Sequence, residues 1–301
     1  MPYDPLNTIA EVLGEPAERM RNPANAEYEC PFLNSTCTKS SKMLDTPYPI
    51  CSLYRRGRKG AKSELPPVCV CPNRFFERQI HDDVIAHAWK GDPPSNPRLV
   101  HEITMQKFGR VDLVIADVDE TTGGIRRFLP VELQAVDITG SVFPEYAAIT
   151  SSQWTSERPD YGFNWSNVRK RYVSQLISKG YYCHQWGTRI AAVLQEDLFI
   201  EFNKHASFAE VSLDDSNIVF LLYQFAWDGD EQRWAMTLKR TVPTTHSNVM
   251  NAILYQRSPD KSLFENKIIA KLKKDDMPVG IPVLETGGIA LADEQPPIQI
   301  E

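Results

Sequence analysis

The segment "FLPVELQAVDITG", residues 128–140, has the pattern of a buried strand with two polar residues among apolar ones. Side chains alternate between the two faces of a strand, so Glu132 and Gln134 point to the same side. A carboxylate in an apolar setting is costly unless a cation or a proton accompanies it. The sequence therefore predicts a cation or a proton beside Glu132, unless this is an edge strand whose polar pair is wetted by solvent.

The length and composition of the chain are those of an ordinary globular protein. The chain has 301 residues, of which 42% are hydrophobic and 24% charged, enough for one large domain or two smaller ones. No apolar run is long enough to cross a membrane. The first residues also lack the basic and apolar pattern of a secretory signal. We therefore expect a cytoplasmic location.

The segments around residues 128–140 predict a sheet flanked by helices. Strands are expected at 100–108 and 110–118, and a turn-rich connection, "DETTGGIRR", predicts a hairpin between the second of these and the strand at 128–137. A helix is expected over 164–180, with Gly180 as its C-cap. Together with further strands near the C-terminal side, these elements predict an α/β or α+β fold.

Residues 1–72 differ in composition from the rest. A short helix is expected at "LNTIAEVLG", residues 6–14, and residues 30–72 are rich in Pro, Ser, Gly, Lys and Cys without clear periodicity. An irregular segment of that length needs something to hold it together. We predict that residues 73–301 form the core and that residues 1–72 are attached to it.

Cysteines supply a candidate for that stabilisation. Five of the six lie between residues 30 and 71, with the spacing C-x6-C-x13-C-x17-C-x-C. Because cytosolic thiols are kept reduced, a metal held by four thiolates is favoured over disulfides. Cys30, Cys37 and Cys51 are predicted ligands. The fourth is Cys71 or Cys69. Cys71 is preferred because a helix is predicted over residues 73–89, directly after it, so the metal would anchor the two parts together. Thiolate chemistry alone leaves zinc and iron open.

The charge distribution is uneven. The formal net charge is −6, yet residues 38–62 contain seven basic residues against one acid, and residues 164–179 contain four basic residues and no acid. Local basic patches, rather than net charge, are the footprint of nucleic-acid binding. Each patch could equally be a solvated face.

A second carboxylate, that of Asp112, is predicted to lie close to Glu132. Asp112 lies near the start of the predicted strand 110–118, so it would approach Glu132 if the two strands pair. Mg²⁺ is the cation that fits, since it binds one or two carboxylates plus phosphate oxygens. The pattern D-x19-E-x-Q is close to the PD-(D/E)xK arrangement of nucleases, with Gln134 where lysine is usual. Glu77 and Glu102 are further acids that could join such a site, but acids in such positions are more often surface residues, so neither is included among the predicted ligands.

Taken in order, these segments resemble the NotI-type type II restriction endonucleases. The matching stretches are "CPFLNSTCTKS" (30–40), "PICSL" (49–53), "VCVCPNRF" (68–75), "GRVDLVI" (109–115) and "PVELQAVD" (130–137). The resemblance implies an α/β PD-(D/E)xK nuclease core, in which a mixed β-sheet is flanked by helices, with a small Cys-rich metal-binding subdomain.

The resemblance also implies residue roles. The catalytic residues would be Asp112, Glu132 and Gln134, with Mg²⁺ on the two carboxylates. A structural iron, with zinc as the alternative, would be held by four cysteines: Cys30, Cys37, Cys51 and Cys71. Relatives act as homodimers on double-stranded DNA, at GC-rich palindromes built around CGGCCG, and leave 5′ overhangs.

Recognition of GC-rich DNA requires Arg or Lys opposite guanine and carboxylates opposite cytosine. The candidates for base or phosphate contacts are Arg55, Arg56, Arg58, Arg158, Asp160, Arg169, Lys170 and Arg171. The alternative from another class is a non-enzymatic DNA-binding or regulatory protein with a tetracysteine metal site. In that protein the polar residues of the two strands would be structural.

Overall fold

The computed structural model describes residues 3–20, 28–41, 44–57, 61–77, 79–106, 109–151, 160–204, 206–255 and 260–274. The strands are β1 (Ile9–Val12), β2 (Glu15–Pro16), β3 (Glu29–Cys30), β4 (Ser35–Thr36), β5 (Ile50–Leu53), β6 (Val68–Cys69), β7 (Pro97–Met105), β8 (Gly109–Val118), β9 (Ile125–Gln134), β10 (Ile138–Gly140), β11 (Tyr161–Phe163), β12 (Ile190–Gln195), β13 (Ile218–Asp228) and β14 (Arg233–Thr244). The α-helices are α1 (Ile80–Ala88), α2 (Phe143–Ser151), α3 (Trp165–Gln185), α4 (Glu196–Asn203), α5 (His246–Leu254) and α6 (Lys261–Lys274).

By its contacts the chain divides into two units, Met1–Gln256 and Arg257–Glu301. In the second unit, the described residues form the single helix α6. The first unit contains the sheets and the other helices. Among the helices of the described residues, none has the length and apolar character needed to span a membrane.

A six-stranded mixed sheet forms the centre of the first unit. Its strand order is β14-β13-β12-β9-β8-β7. Strands β9, β12 and β13 run parallel to one another, whereas β7, β8 and β14 pair antiparallel with their neighbours. The predicted α/β class is therefore confirmed, as is the hairpin that joins β8 to β9.

Helices cover both faces of this sheet. Leu129, Val131 and Leu133 of β9 belong to the apolar core beneath α1. On the opposite face, α3, α4 and α5 pack against residues such as Ala192 and Leu194 of β12. Because side chains alternate along a strand, Glu132 points to the face covered by α3.

A second sheet lies in the N-terminal segment, with the strand order β2-β1-β5-β6. The helix predicted over residues 6–14 is wrong, because a 3-10 turn at Pro5–Asn7 leads into strand β1. All four residues of β1 are buried, and pairing with β5 satisfies their backbone groups. Leu13 and Gly14, at φ 51° and 79°, turn the chain into β2.

Arg74 joins the small sheet to the main one. The guanidinium is fully buried and donates to Glu11 of β1 at 3.0 Å, to Glu77 at 2.5 Å and to the Trp234 carbonyl of β14 at 2.8 Å. Arg233 also donates to Glu77, at 2.6 Å. The boundary predicted after residue 72 thus falls at the start of the 3-10 helix Pro72–Glu77, which holds the two sheets together.

Candidate active site

The structure brings Asp112 and Glu132 together at one end of the β8–β9 pair. Leu113 lies opposite Val131 in this antiparallel ladder, and one further step places Asp112 opposite Glu132. The Oδ2 atom of Asp112 accepts a hydrogen bond from the backbone N–H of Leu133 at 2.8 Å. One oxygen of Asp112 is therefore held by the strand that carries Glu132.

Solvent does not account for the polar residues of β9. This strand lies between β8 and β12 in the sheet, so the edge-strand alternative is wrong. Glu132 is 6% exposed, whereas its neighbour on the same face, Gln134, is half-buried. A carboxylate this deeply placed needs a cation or a proton beside it.

The charged partner of Glu132 is Lys179 of α3. Its Nζ donates to Glu132 Oε1 at 2.5 Å and to the carbonyl oxygen of Arg110 at 2.7 Å. Both charged side chains are buried, with 2% and 8% of their surfaces exposed. Sequence reasoning missed this contact because it counted Lys179 among the basic residues of a DNA-facing helix.

A signal for Lys179 was present in the sequence. The lysine falls on the apolar stripe of α3, in line with four residues that are all buried: Val168, Tyr172, Leu176 and Cys183. Residues three and four positions apart share one face of a helix. A lysine on the buried face of a helix, opposite a strand with a buried Glu, predicts an ion pair.

Gly180 allows α3 to approach the sheet closely. The helix runs on to Gln185 and ends before Gly187 at φ +67°, so the prediction of Gly180 as the C-cap is wrong. A Cβ atom at Gly180 would lie 2.8 Å from the Ile218 side chain of β13. The missing side chain therefore brings Lys179, its neighbour, within reach of β9.

The pKa values of both carboxyl groups are raised. Burial raises the pKa of Glu132 to about 7, although the hydrogen bond and charge of Lys179 lower it; the nearby Asp112 charge raises it further. Burial also raises the pKa of Asp112, against the Leu133 N–H bond. Protons and cations therefore compete for Glu132 near neutral pH.

Two other polar residues border the pair. The Gln134 Nε2 atom donates to the carbonyl oxygen of Ala135 at 2.5 Å. Glu102 of β7 raises the pKa of Asp112 through its charge, but its own carboxylate is exposed and paired with Arg110 at 2.8 Å. Glu77 belongs to the Arg74 network instead.

Several predicted DNA contacts lie near this end of the sheet. Arg171 of α3 pairs with Asp137, three residues beyond Gln134, at 2.5 Å. Both side chains are at least half exposed, at 63% and 50%. Of the two residues that precede Arg171 on the helix, Lys170 is exposed and Arg169 is half-buried.

The other candidates for DNA contacts divide into three groups. Arg56 and Asp160 pair with each other at 3.1 Å, and both are exposed. Arg55 is mostly buried and bonds Asp197 of α4 at 2.9 Å, a contact that ties segments of the fold together. Arg58 and Arg158 lie outside the described residues.

Four of the cysteines are neighbours. The thiol of Cys71 interacts electrostatically with those of Cys30, Cys37 and Cys51, and burial raises the pKa of Cys37, Cys51 and Cys71. Cys69 of β6 also interacts electrostatically with Cys71, but its side chain packs in the apolar core beneath α1, where the thiol donates to the Cys71 carbonyl at 3.1 Å.

Within the described ranges, no group of three or more His, Cys, Asp or Glu side chains is arranged to hold a metal ion. The tetracysteine metal site therefore stays a prediction, and so do the catalytic roles of the carboxylates.

The protein is therefore of the mixed α/β class, with an acidic site at the end of two adjacent strands. The family model described as restriction endonuclease NotI matches residues 11–236, about three quarters of the chain. The chain therefore belongs to this family of type II restriction endonucleases and is a nuclease that acts on DNA. The matched segment includes every candidate site residue named above. No curated protein matches the chain.

Gly180→Ala tests the close approach of α3. Alanine favours a helix by about 1 kcal/mol over glycine. Here the added Cβ would collide with Ile218, so we expect the free energy of unfolding to fall by about 1–3 kcal/mol. Urea unfolding measures it, with Gln175→Ala on the exposed face of α3 as the control. A Gly180→Ala variant as stable as the parent would contradict the packing argument.

Proposed function

We propose that this protein is a Mg²⁺-dependent, site-specific double-stranded DNA endonuclease with a PD-(D/E)xK core. The observation that carries the proposal is the pairing of Asp112 and Glu132 on adjacent strands, in a chain of the NotI family. The target would be a GC-rich palindrome containing CGGCCG, cut to leave 5′ overhangs. The length and layout of the chain also resemble EagI, a member of the family.

The residues present fit Mg²⁺. Asp112 and Glu132 offer oxygen ligands, and the Leu133 carbonyl would complete the protein's share of the coordination. Two carboxylates are enough, because Mg²⁺ usually keeps several waters and binds substrate phosphate. When bound, the ion would activate water and neutralise charge that develops on the phosphodiester.

The protein groups have separate tasks in this proposal. Asp112 is oriented by the Leu133 N–H, and Glu132 by Lys179. Gln134, on the same face of β9 as Glu132, would orient the attacking water or donate to the phosphate in the transition state. Because an amide is not a base at any useful pH, Gln134 would not take a proton from water.

DNA would be contacted along the surface that continues from Gln134. Arg171 and Asp137 lie there, and the pair of Arg56 and Asp160 offers a second exposed cation and carboxylate. Arg or Lys would contact guanine or phosphate, and a carboxylate would accept from cytosine. The proposed contacts remain Arg55, Arg56, Arg58, Arg158, Asp160, Arg169, Lys170 and Arg171, with Arg55 the least accessible of those described.

A homodimer is part of the proposal. Two symmetric subunits would meet a palindrome and cut one strand each. The outermost strand β7 supports this, since it is exposed along its length and presents Leu99, Val100 and Ile103 to solvent at 43%, 39% and 43%. Exposed apolar strand edges are natural pairing surfaces. A cytoplasmic location, where such an enzyme meets DNA, belongs to the same proposal.

A structural metal would stabilise the N-terminal segment. The neighbouring thiols of Cys30, Cys37, Cys51 and Cys71 support a tetrathiolate site. Iron is proposed from the family resemblance, with zinc as the alternative. Metal binding would deprotonate the thiols despite their raised pKa values.

Incubation of the protein with phage DNA tests the function. Discrete bands on a gel with Mg²⁺, and intact DNA with EDTA, are expected. Sequencing of the fragment ends then gives the target and the overhang. DNA that is retarded but uncut would instead support a non-enzymatic DNA-binding protein.

Substitutions in the carboxylate site separate its residues. Asp112→Ala should abolish cutting, because one of two carboxylate ligands is lost. Gln134→Lys should retain some cutting, because lysine is the usual residue at this position of the nuclease motif. Initial rates of plasmid cleavage measure both, with Glu120→Ala in the distant β8–β9 turn as the control. Full activity of Asp112→Ala would remove the mechanism.

The raised pKa of Glu132 predicts how Mg²⁺ affinity depends on pH. With a pKa of about 7, the carboxylate is mostly ionised at pH 8 and mostly protonated at pH 6. Because the proton competes with the cation, affinity should weaken about tenfold as the pH falls from 8 to 6. Calorimetric titration measures this, and Glu132→Gln should lose the dependence. An affinity that is constant or that tightens at low pH would count against Glu132 as a ligand.

Cys71→Ala and Cys69→Ala form a matched pair for the structural metal. The first should lose the bound metal and lower the melting temperature, because a ligand is removed. The second should keep about one metal ion per chain, because Cys69 lies in the sheet core. Elemental analysis of the purified proteins decides, and it also identifies iron or zinc. The reverse pattern would make Cys69 the ligand.

A further inference from the structure

The positively charged group of this site does not come from the strand. Position 134, where nucleases of this motif usually carry lysine, holds a glutamine whose amide nitrogen donates to the Ala135 carbonyl. The cation beside the carboxylates is Lys179, which reaches them from α3 on the same face of the sheet.

Lys179 is placed to fix the geometry of the carboxylate pair. It donates to Glu132 on β9 and to the backbone carbonyl of Arg110 on β8, two residues before Asp112. One side chain therefore cross-links the two strands that carry the acids. Its charge also acts on Asp112. With Oδ2 of Asp112 held by Leu133 and Oε1 of Glu132 held by Lys179, the second oxygen of each carboxylate has a defined direction.

Stability alone does not require this ion pair. Replacement of a buried ion pair by apolar residues is often neutral or even stabilising, because desolvation offsets the attraction between the charges. Next to Lys179, Gly180 packs so closely against β13 that a Cβ atom there would lie 2.8 Å from the Ile218 side chain. These features are expected where the position of a carboxylate matters for chemistry.

We propose that Lys179 is a positioning residue for phosphodiester cleavage, and that it supplies from α3 the ammonium group that the strand lacks at position 134. The inference rests on the proposed function. Lys179 would hold Glu132 in the orientation that serves the reaction and would contribute little to DNA affinity, because its side chain is buried.

Gln175→Met is the matched control on the same helix, because Gln175 is exposed and is not among the proposed DNA contacts. Lys179→Met should lower the single-turnover rate at saturating Mg²⁺ and DNA by about 100-fold. Its DNA dissociation constant in EDTA should stay within about threefold of the parent's. Gln175→Met should leave both quantities within about threefold of the parent's. Lys170→Met, at an exposed proposed DNA contact, should weaken DNA binding and reduce its salt dependence.

The decisive variant places the lysine at position 134 of β9 and removes it from α3. Gln134→Lys/Lys179→Met should recover at least about tenfold of the lost rate, because the ammonium again lies beside Glu132. If Lys179→Met alone does not fold, this double variant decides, and it should restore folding and cleavage together. Circular dichroism and urea unfolding establish the folded state of each protein.

The outcomes separate the two proposals. Cleavage by the parent protein with Mg²⁺, and its loss in Asp112→Ala, test the proposed function. If those results hold, a folded Lys179→Met protein that cuts within about threefold of the parent overturns the role of Lys179. A folded double variant that stays as slow as Lys179→Met, or fails to cut, also overturns it. If the parent does not cut at all, both proposals fall.

Discussion

A carboxyl group buried inside a β-sheet needs a cation or a proton beside it, and this requirement organises the centre of the molecule. Glu132 lies on β9 between two other strands, where water cannot solvate its charge. Lys179 supplies the cation, the Arg110 carbonyl fixes that lysine, and Gly180 lets α3 come close enough for the contact. Asp112 lies opposite Glu132 in the same sheet, so the geometry of the two carboxylates is coupled to the packing of α3.

The N-terminal segment is attached close to this site. The Cys69 carbonyl accepts from the Val136 N–H at 2.9 Å, two residues beyond Gln134, and the Cys69 N–H donates to Gln195 at 2.9 Å. The proposed tetracysteine metal would therefore stabilise the segment against which the active-site strand ends. Loss of the metal would then alter the positions of Gln134 and of the nearby Asp137–Arg171 pair.

Local patterns in the sequence were sufficient for the strands β8 and β9, for their hairpin and for the position of Asp112 opposite Glu132. They failed where a contact between distant segments decides the outcome. The apolar residues of "LNTIAEVLG" suit a helix, but pairing with β5, some 40 residues away, makes residues 9–12 a strand. From the sequence, Gly180 resembles a helix cap, whereas in the structure it lies within α3 and packs against Ile218. From the sequence, Lys179 resembles a DNA contact, whereas in the structure it pairs with Glu132. The two residues are 47 positions apart, and no spacing rule connects them.

The proposed nuclease chemistry requires that the carboxylates of Asp112 and Glu132 hold a divalent cation when the protein is bound to its DNA. Anomalous diffraction from crystals of the complex grown with Mn²⁺ in place of Mg²⁺ tests it most directly. We expect an anomalous peak in contact with one oxygen of each carboxylate and with the scissile phosphate. A complex with DNA bound and Mn²⁺ held elsewhere, or with Lys179 still the sole cation beside Glu132, would contradict it.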